Sequence, residues 1–566
     1  MLKYKLMEGA DNDLKHIVRS YFNANNVDMD EYMHIDESCI NDYRNLDNID
    51  TAVNCLIRHL DNGDTISILV DPDPDGMTSA AILYKYIKRI QPEADLRYII
   101  HNQPKAHGLA DMGKGDFTIP DGTKLLITPD SGTNDIDQLN SLVEKGIDCL
   151  VLDHHIMEID PSFAEYIIVN NQSSGKYTDK YFSGVGIVYE FLRALDDTLL
   201  YDYADDYLDL VALGNISDNM SVKEYQTKYY ISRGLQNIQN RFLKEFIEAQ
   251  EYSIKGRVNI HNIQFYVTPI LNAIIRIGDY AERVNLFEAF LDSPKTFEHV
   301  LPGGGIEIEN IYQHVIRVGK NTKSKQDRSK NDLKSGVQSQ ILSNEANKIC
   351  VLITEESYAG LLGVTAIKVA EDEQKPCLIV RKKDGVMSGS GRNFSGSSLT
   401  DFRGACEESG LFIYAQGHPS SFGVSFKEEN LEKIIEFFNS LDIQKVDTSE
   451  ILCNFIVGAE DLTKKMMKDF DTLNDYYGAE LPMAKIAIEN ISLYPKGAKI
   501  SGKNSNVLSW SDNGIKYISF DPDFIKQVQE SDAPVIMLNA ICVCEVNTYK
   551  GFTYPQVKVK KLEIIS

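Results

Sequence analysis

The stretch "ILVDPDPDG", Ile68 to Gly76, ends an apolar run with a carboxylate at every second position and a proline in each gap. In extended backbone alternate side chains share one face, so Asp71, Asp73 and Asp75 are expected to converge. Each proline fixes its own φ and drives the residue before it out of the helical region, which keeps Asp71 and Asp73 extended. Gly76 permits a sharp turn into the following segment. Carboxylates gathered without cations would drive some of their number to protonate, so a positive partner is expected.

Outward from this stretch, short apolar runs alternate with amphipathic ones. "TISILV" (65–70) precedes a helical "SAAILYKYIKRI", "KLLITPD" (124–130) precedes "IDQLNSLVEKG", and "DCLVLD" (148–153) and "EYIIVNN" (165–171) follow. That pattern predicts an α/β fold with a mostly parallel sheet covered by helices on both faces. Ligands of such sheets bind beyond the carboxyl ends of the strands. Asp130 stands at one such end and Asp153-His154-His155 follows another, while Asp218 comes after the apolar "LDLVALGNIS". Hard divalent cations prefer carboxylate oxygens, and added imidazole shifts the choice toward Mn²⁺ over Ca²⁺. Two such ions roughly 3.5–4 Å apart activate water and stabilise both oxygens of an in-line phosphoryl displacement.

The 566-residue length predicts several domains. A net charge of -25, from 58 basic and 83 acidic residues, argues against a protein that coats nucleic acid nonspecifically. It leaves room for a nucleic-acid enzyme with a local basic channel. No run approaches the roughly 20 apolar residues of a membrane span, and "MLKYKLMEGADNDLK" lacks the apolar core of a signal peptide. The expected location is therefore the cytoplasm, with the nine scattered cysteines reduced and in the core.

Residues 1–60 read as a polar, mostly helical extension, and helices dominate 185–255. The basic stretch within 305–348 reads as a connecting helix or solvated linker, or as a segment that contacts a nucleic-acid strand. A second alternating unit starts at "KICVLITEE" (348–356). From about 450, runs such as "VIMLNAICVCEV" and "TYPQVKVKKLEII", broken by Gly, Asn and Pro, suggest a small β-barrel.

Taken in order, "DPDPDGMTSAAILY", "PDSG", "LDHH", "FSGVGIVYEFL" and "LDLVALGNISDN" resemble the DHH phosphoesterase superfamily. "TPILNAIIRIGD", "YAGLLGVTAIKVAEDEQKPCLIV", "SGSGRNFSG" and "AQGHPSSFG" are similar to segments of its RecJ branch. The resemblance covers about residues 60–430 and, more weakly, the terminal barrel. It implies a two-lobed core at 61–280, a connecting helix or linker at 281–347, a DHH-associated α/β domain at 348–445 and an OB-like nucleic-acid-binding barrel at 446–566.

The family implies a 5′-to-3′ exonuclease of single-stranded DNA that uses two Mn²⁺ or Mg²⁺ ions. By matching positions, Asp73, Asp75, Asp130, His154 and Asp218 are implied metal ligands, with Asp71 an additional one and Asp130 bridging. His155 is similar to the residue that contacts the scissile phosphate or leaving group, and Asp153 supports the imidazoles or ligates. Arg276, Ser390, Arg392 and His418 correspond to phosphate-binding positions in a cleft between the lobes. Guanidinium groups also suit phosphate on chemical grounds, by bidentate pairing.

In the barrel, Tyr549, Phe552, Tyr554, Lys558, Lys560 and Lys561 are candidates for base stacking and backbone contact, or ordinary core and rim. A single-strand-binding protein or helicase is the implied partner, and a monomer is expected. Several positions depart from the family pattern. Leu69 stands where many relatives have histidine, Gln103 where a phosphate-binding arginine is expected, and Gln416 in place of a glycine. Three rival activities share this core. They are hydrolysis of short oligonucleotides or cyclic dinucleotides, pyrophosphatase activity, and a non-cutting replication scaffold.

Overall fold

A computed structural model describes residues 2–103, 106–109, 116–158, 160–343, 346–354, 362–444, 450–502, 505–549 and 552–565; side chains at 329–343, 548–549 and 552 lie outside the description. The chain divides into two compact units. One comprises Met1–Ile275, Tyr280–Ile316 and Ser449–Ser566, the other Arg276–Asp279 and Arg317–Thr448.

The first unit is built on a five-stranded parallel sheet. Its strands are β1 (Thr65–Val70), β2 (Leu96–Ile100), β3 (Thr123–Pro129), β4 (Asp148–Asp153) and β5 (Ile167–Asn170), in the order β2-β1-β3-β4-β5. Strands covered on both faces should be apolar throughout. Accordingly Ile66, Ile68, Leu69 and Val70 of β1 are all buried. Ile68 and Val70 face one hydrophobic core and Leu69 the other, beside Ile99, Leu126 and Val151. Helices α1 (Pro74–Ile90), α2 (Gly184–Leu199) and α3 (Leu208–Ser217) pack together in the first of these cores.

The ends of the chain meet in this unit. Strand Lys3–Leu6 pairs in parallel with Glu450–Cys453, and Tyr21 packs edge-on against Tyr477. The region from 450 contributes a seven-stranded sheet, in the order 455–458, 486–493, 536–549, 552–564, 515–519, 507–512, 499–501. All nine cysteines are free thiols, eight of them buried.

Helix Ile311–Ser343 carries the chain from the first unit into the second. There a five-stranded sheet is formed by β6 (Cys350–Thr354), β7 (Cys377–Lys383), β8 (Val386–Arg392), β9 (Phe412–His418) and β10 (Ser421–Lys427). Its order is β9-β10-β8-β7-β6, and only β6 and β7 are parallel.

Candidate metal centre

Asp71 and Asp130 directly follow the adjacent strands β1 and β3 and Asp153 ends their neighbour β4, so the three line one rim of the first unit's sheet. Convergence of the opening carboxylates arises differently from simple strand alternation. β1 stops at Val70, Asp73 caps α1 by accepting from the Gly76 amide at 2.9 Å, and Asp75 sits in the first helical turn behind Pro74. Proline at the first helical position explains this, because its fixed φ suits a helix start and its missing N–H would be unpaired there anyway. Gly76 lies inside the helix, where a Cβ would fall 2.5 Å from that of Asp71.

Asp75 is buried and accepts from Ser183 Oγ at 3.0 Å and from the amides of Gly184 at 2.8 Å and Val185 at 3.2 Å, at the N-terminus of α2. Despite these donors its carboxyl is pushed up to about 7, by burial and then by the charge of Asp73. Asp218 caps the C-terminus of α3, the end where the helix dipole repels an anion. It too is pushed up to about 7, by burial and then by Asp75. Burial followed by neighbouring carboxylates raises Asp130 well above the ordinary range, and burial followed by Asp71 raises Asp73.

Asp130 adopts a left-handed backbone, φ 60°, a conformation strained for a residue with a side chain. Its Oδ1 is buried with no hydrogen bond, although His154 Nε2 stands 3.2 Å away. His154 Nε2 also lies 3.5 Å from Asp218 Oδ2. Burial, foremost, holds its imidazole below the usual value, which keeps a lone pair for a cation. A Cβ on Gly184 would come within 2.3 Å of Asp130 Oδ1, so the close approach of α2 requires glycine.

Three overlapping sets of ligand atoms result. Those of Asp71, Asp73 and Asp130 lie within 4.8 Å of one another, as do those of Asp75, His154 and Asp218, and those of Asp130, Asp153, His154 and His155. Asp153 directs most of its accepting capacity inward. It takes the amides of Thr133 at 3.0 Å, His154 at 2.7 Å and His155 at 3.2 Å, and His155 Nδ1 at 2.7 Å. Burial alone would raise its carboxyl, but the His155 hydrogen bond and the imidazole charges outweigh that and hold it well below the usual range. His155 is raised in turn, because the Asp153 hydrogen bond overcomes burial.

His107, passed over in the sequence, also belongs here. Its Nδ1 is 2.9 Å from Asp71 Oδ2, the Gly108 amide donates to Asp71 Oδ1 at 3.0 Å, and its ring centroid lies 4.9 Å from that of His155. Leu69, where the family resemblance leads to the expectation of histidine, is core. The available signal was the "HGL" of "HNQPKAHGL", beside the Gln103 departure.

The remaining candidates lie elsewhere. In the second unit, Arg392 ends β8, next in register to Ser421, which pairs with His418. Arg392 Nη1 donates to the carbonyls of Gly391 at 2.7 Å and Phe422 at 3.2 Å; among the described residues no carboxylate pairs with it, and burial lowers its pKa. Arg392 Nη2 and Ser390 Oγ both face Gly363, at the start of helix Leu362–Glu373. Arg276 is exposed, and the next residue, Ile277, packs against Leu362 and its neighbours. Residues 358–361 of the "YAGLLGV" segment lie outside the described residues.

In the terminal sheet Tyr554 is exposed, and Lys558 pairs with Glu545 at 2.8 Å. Lys558, Lys560 and Lys561 line a groove of about 380 Å³ with Phe520. The side chains of Tyr549 and Phe552 lie outside the described residues.

Residues 65–215 match the model of the DHH family, N-terminal domain. Over its full length the chain is 32% identical to a Bacillus subtilis (strain 168) protein named "Putative SPbeta prophage-derived single-strand DNA-specific exonuclease YorK", covering 98% of that protein. The chain belongs to the RecJ-like branch of the DHH family. The single-stranded-DNA-specific exonuclease RecJ of Bacillus subtilis is 21% identical over 94% of this chain and 65% of its own. The crystal structure of RecJ from Thermus thermophilus in complex with Mn²⁺ superposes with a TM-score of 0.73, at 17% identity, over 99% of this chain and 78% of that one. That likeness establishes a shared RecJ-like α/β fold. Among the described residues no helix is long and apolar enough to cross a membrane.

Proposed function

We propose that this chain is a metal-dependent exonuclease that hydrolyses the phosphodiester bonds of single-stranded DNA from the 5′ end. The observation that carries the reading is the mutually repelling set of buried Asp75 and Asp130 and half-buried Asp73 and Asp218 around a neutral His154. Such a set is costly unless cations neutralise it.

The donors fit Mn²⁺ or Mg²⁺. Asp130 Oδ1 is an orphaned buried oxygen, and the set mixes carboxylates with one imidazole. Asp73, Asp75, Asp130, His154 and Asp218 would hold two ions, with Asp71 as a further ligand. When bound, such a pair lowers the pKa of water and stabilises charge on the attacking and departing oxygens.

The chain's own groups supply the rest. Asp153 holds His155 through Nδ1, and the raised pKa favours a protonated Nε2 able to donate to the scissile phosphate or the departing 3′-oxygen. Within the second unit, Arg392, Ser390, Arg276 and His418 are the proposed phosphate-binding groups, Arg392 by its planar fork. The names of the relatives support DNA as substrate, and the lysine-lined groove supports a polymer over a dinucleotide. On this reading the chain acts as a monomer, with a single-strand-binding protein or helicase as its partner.

The test is Mn²⁺-dependent release of mononucleotides from 5′-labelled single strands, with duplex and 3′-labelled strands for comparison. Release of the 5′ label first from single strands, abolished in Asp130→Asn, is the expected result. Hydrolysis equal in Asp130→Asn and wild type would refute the reading.

A further inference from the structure

We infer that Phe265 and Tyr266 form a base-stacking platform beside the metal centre, holding single-stranded substrate a few nucleotides from the cleaved bond. This rests on the nuclease reading above and specifies how the strand is gripped.

The two rings are exposed, at 57% and 36%, on adjacent residues of a π turn, Ile263–Val267. A turn closed by i→i+5 bonds carries one residue more than an α-helical turn, and such insertions recur at functional sites. Here Ile263, Val267 and Ile270 remain in the core while Phe265 and Tyr266 are left exposed at adjacent positions, each offering its own ring face. Packing against His261 still leaves more than half of Phe265 in water, beside a partly exposed Tyr266.

The turn is tied on both sides to the segment that bears Asp218. Gln264 Nε2 donates to Asn219 Oδ1 at 2.5 Å, and Ser217 Oγ lies 3.2 Å from Thr268 Oγ1. The rings therefore hold a defined position relative to a candidate ligand. On the far side, the His261 ring lies 4.5 Å from Phe265, and the charge of Lys558 in the terminal sheet acts on it. The same Lys558 lines the groove with Lys560, Lys561 and Phe520. Metal centre, aromatic pair and basic groove thus follow one another within the first unit. Every nucleobase offers a π face, so stacking retains a strand without reading its sequence. On this proposal the rings engage nucleotides beyond the first two, so a longer strand gains from them and a dinucleotide does not.

The experiment compares kcat/KM on a dinucleotide and on a strand of about a dozen nucleotides, in the full-length Mn²⁺-loaded chain. In Phe265→Ala/Tyr266→Ala the ratio of long to short is expected to fall on the order of tenfold or more. Phe265→Trp/Tyr266→Trp should restore it, because indole stacks as well; this separates stacking from misfolding. In parallel, 2-aminopurine placed at successive positions of a strand bound to Asp130→Asn should be quenched at one or two positions, and this quenching should vanish when the rings are removed. An unchanged ratio, quenching that persists without the rings, or failure of the tryptophan variant to restore the ratio would overturn the platform alone. Absence of hydrolysis of either substrate by the wild type would instead overturn the nuclease reading beneath it.

Discussion

His107 Nδ1 stands 2.9 Å from Asp71 Oδ2, across 36 residues of sequence. The Asp71 pairing overcomes burial and pushes the His107 imidazole up to about 9 when no metal is bound, and the same contact orients the Asp71 carboxylate at the rim. It brings a histidine to the rim although Leu69 is apolar. Groups that orient ligating carboxylates typically contribute about 10–100-fold to metal affinity. His107→Ala is expected to weaken Mn²⁺ binding by about tenfold or more, read by calorimetry on the full chain.

Asp153→Asn should separate catalysis from folding. The amide presents N–H to one of the four donors that Asp153 now accepts, and it no longer stabilises a charged His155. A buried donor left without its acceptor costs about 1–3 kcal/mol, whereas a misprotonated imidazole is expected to lower kcat on the order of 100-fold or more. Thermal unfolding and steady-state kinetics of the variant check the two effects independently.

Metal-free stability should fall as pH rises. Asp75 and Asp218 keep protons in the folded chain up to about 7, while unfolded carboxyls lose theirs near about 4. Between those values the folded state binds more protons than the unfolded one, so stability decreases with increasing pH. Mn²⁺ must displace these protons, and its affinity should climb through that window and level off above it. Tm measured with chelator and with Mn²⁺ across roughly pH 5–8 should diverge toward alkaline pH.

Gly184→Ala would normally favour a helix, by about 1 kcal/mol. Here the added methyl meets Asp130 Oδ1 at 2.3 Å. The expected outcome is a folded protein by circular dichroism whose Mn²⁺ affinity has dropped by about tenfold or more.

The sheet and most of the centre are readable from local sequence. Apart from Ser67, whose buried hydroxyl pairs with that of Thr123, β1 is apolar at every core position because both of its faces are covered, and the acids at the ends of β1, β3 and β4 stand out against those apolar runs. Other features depend on partners distant in sequence. His107 joins Asp71 through a loop with no periodicity of its own, and Lys3–Leu6 finds Glu450–Cys453. Asp75 illustrates a local ambiguity: alternating Asp-Pro reads as extended, yet proline equally suits a helix start, and Pro74 begins α1.

The central claim, that these side chains jointly seat divalent cations, is tested most directly by anomalous diffraction at the manganese edge from crystals grown with Mn²⁺. Two peaks are predicted, each bounded by atoms of Asp73, Asp75, Asp130, His154 or Asp218. Saturating Mn²⁺ with no peak among those residues would contradict the account.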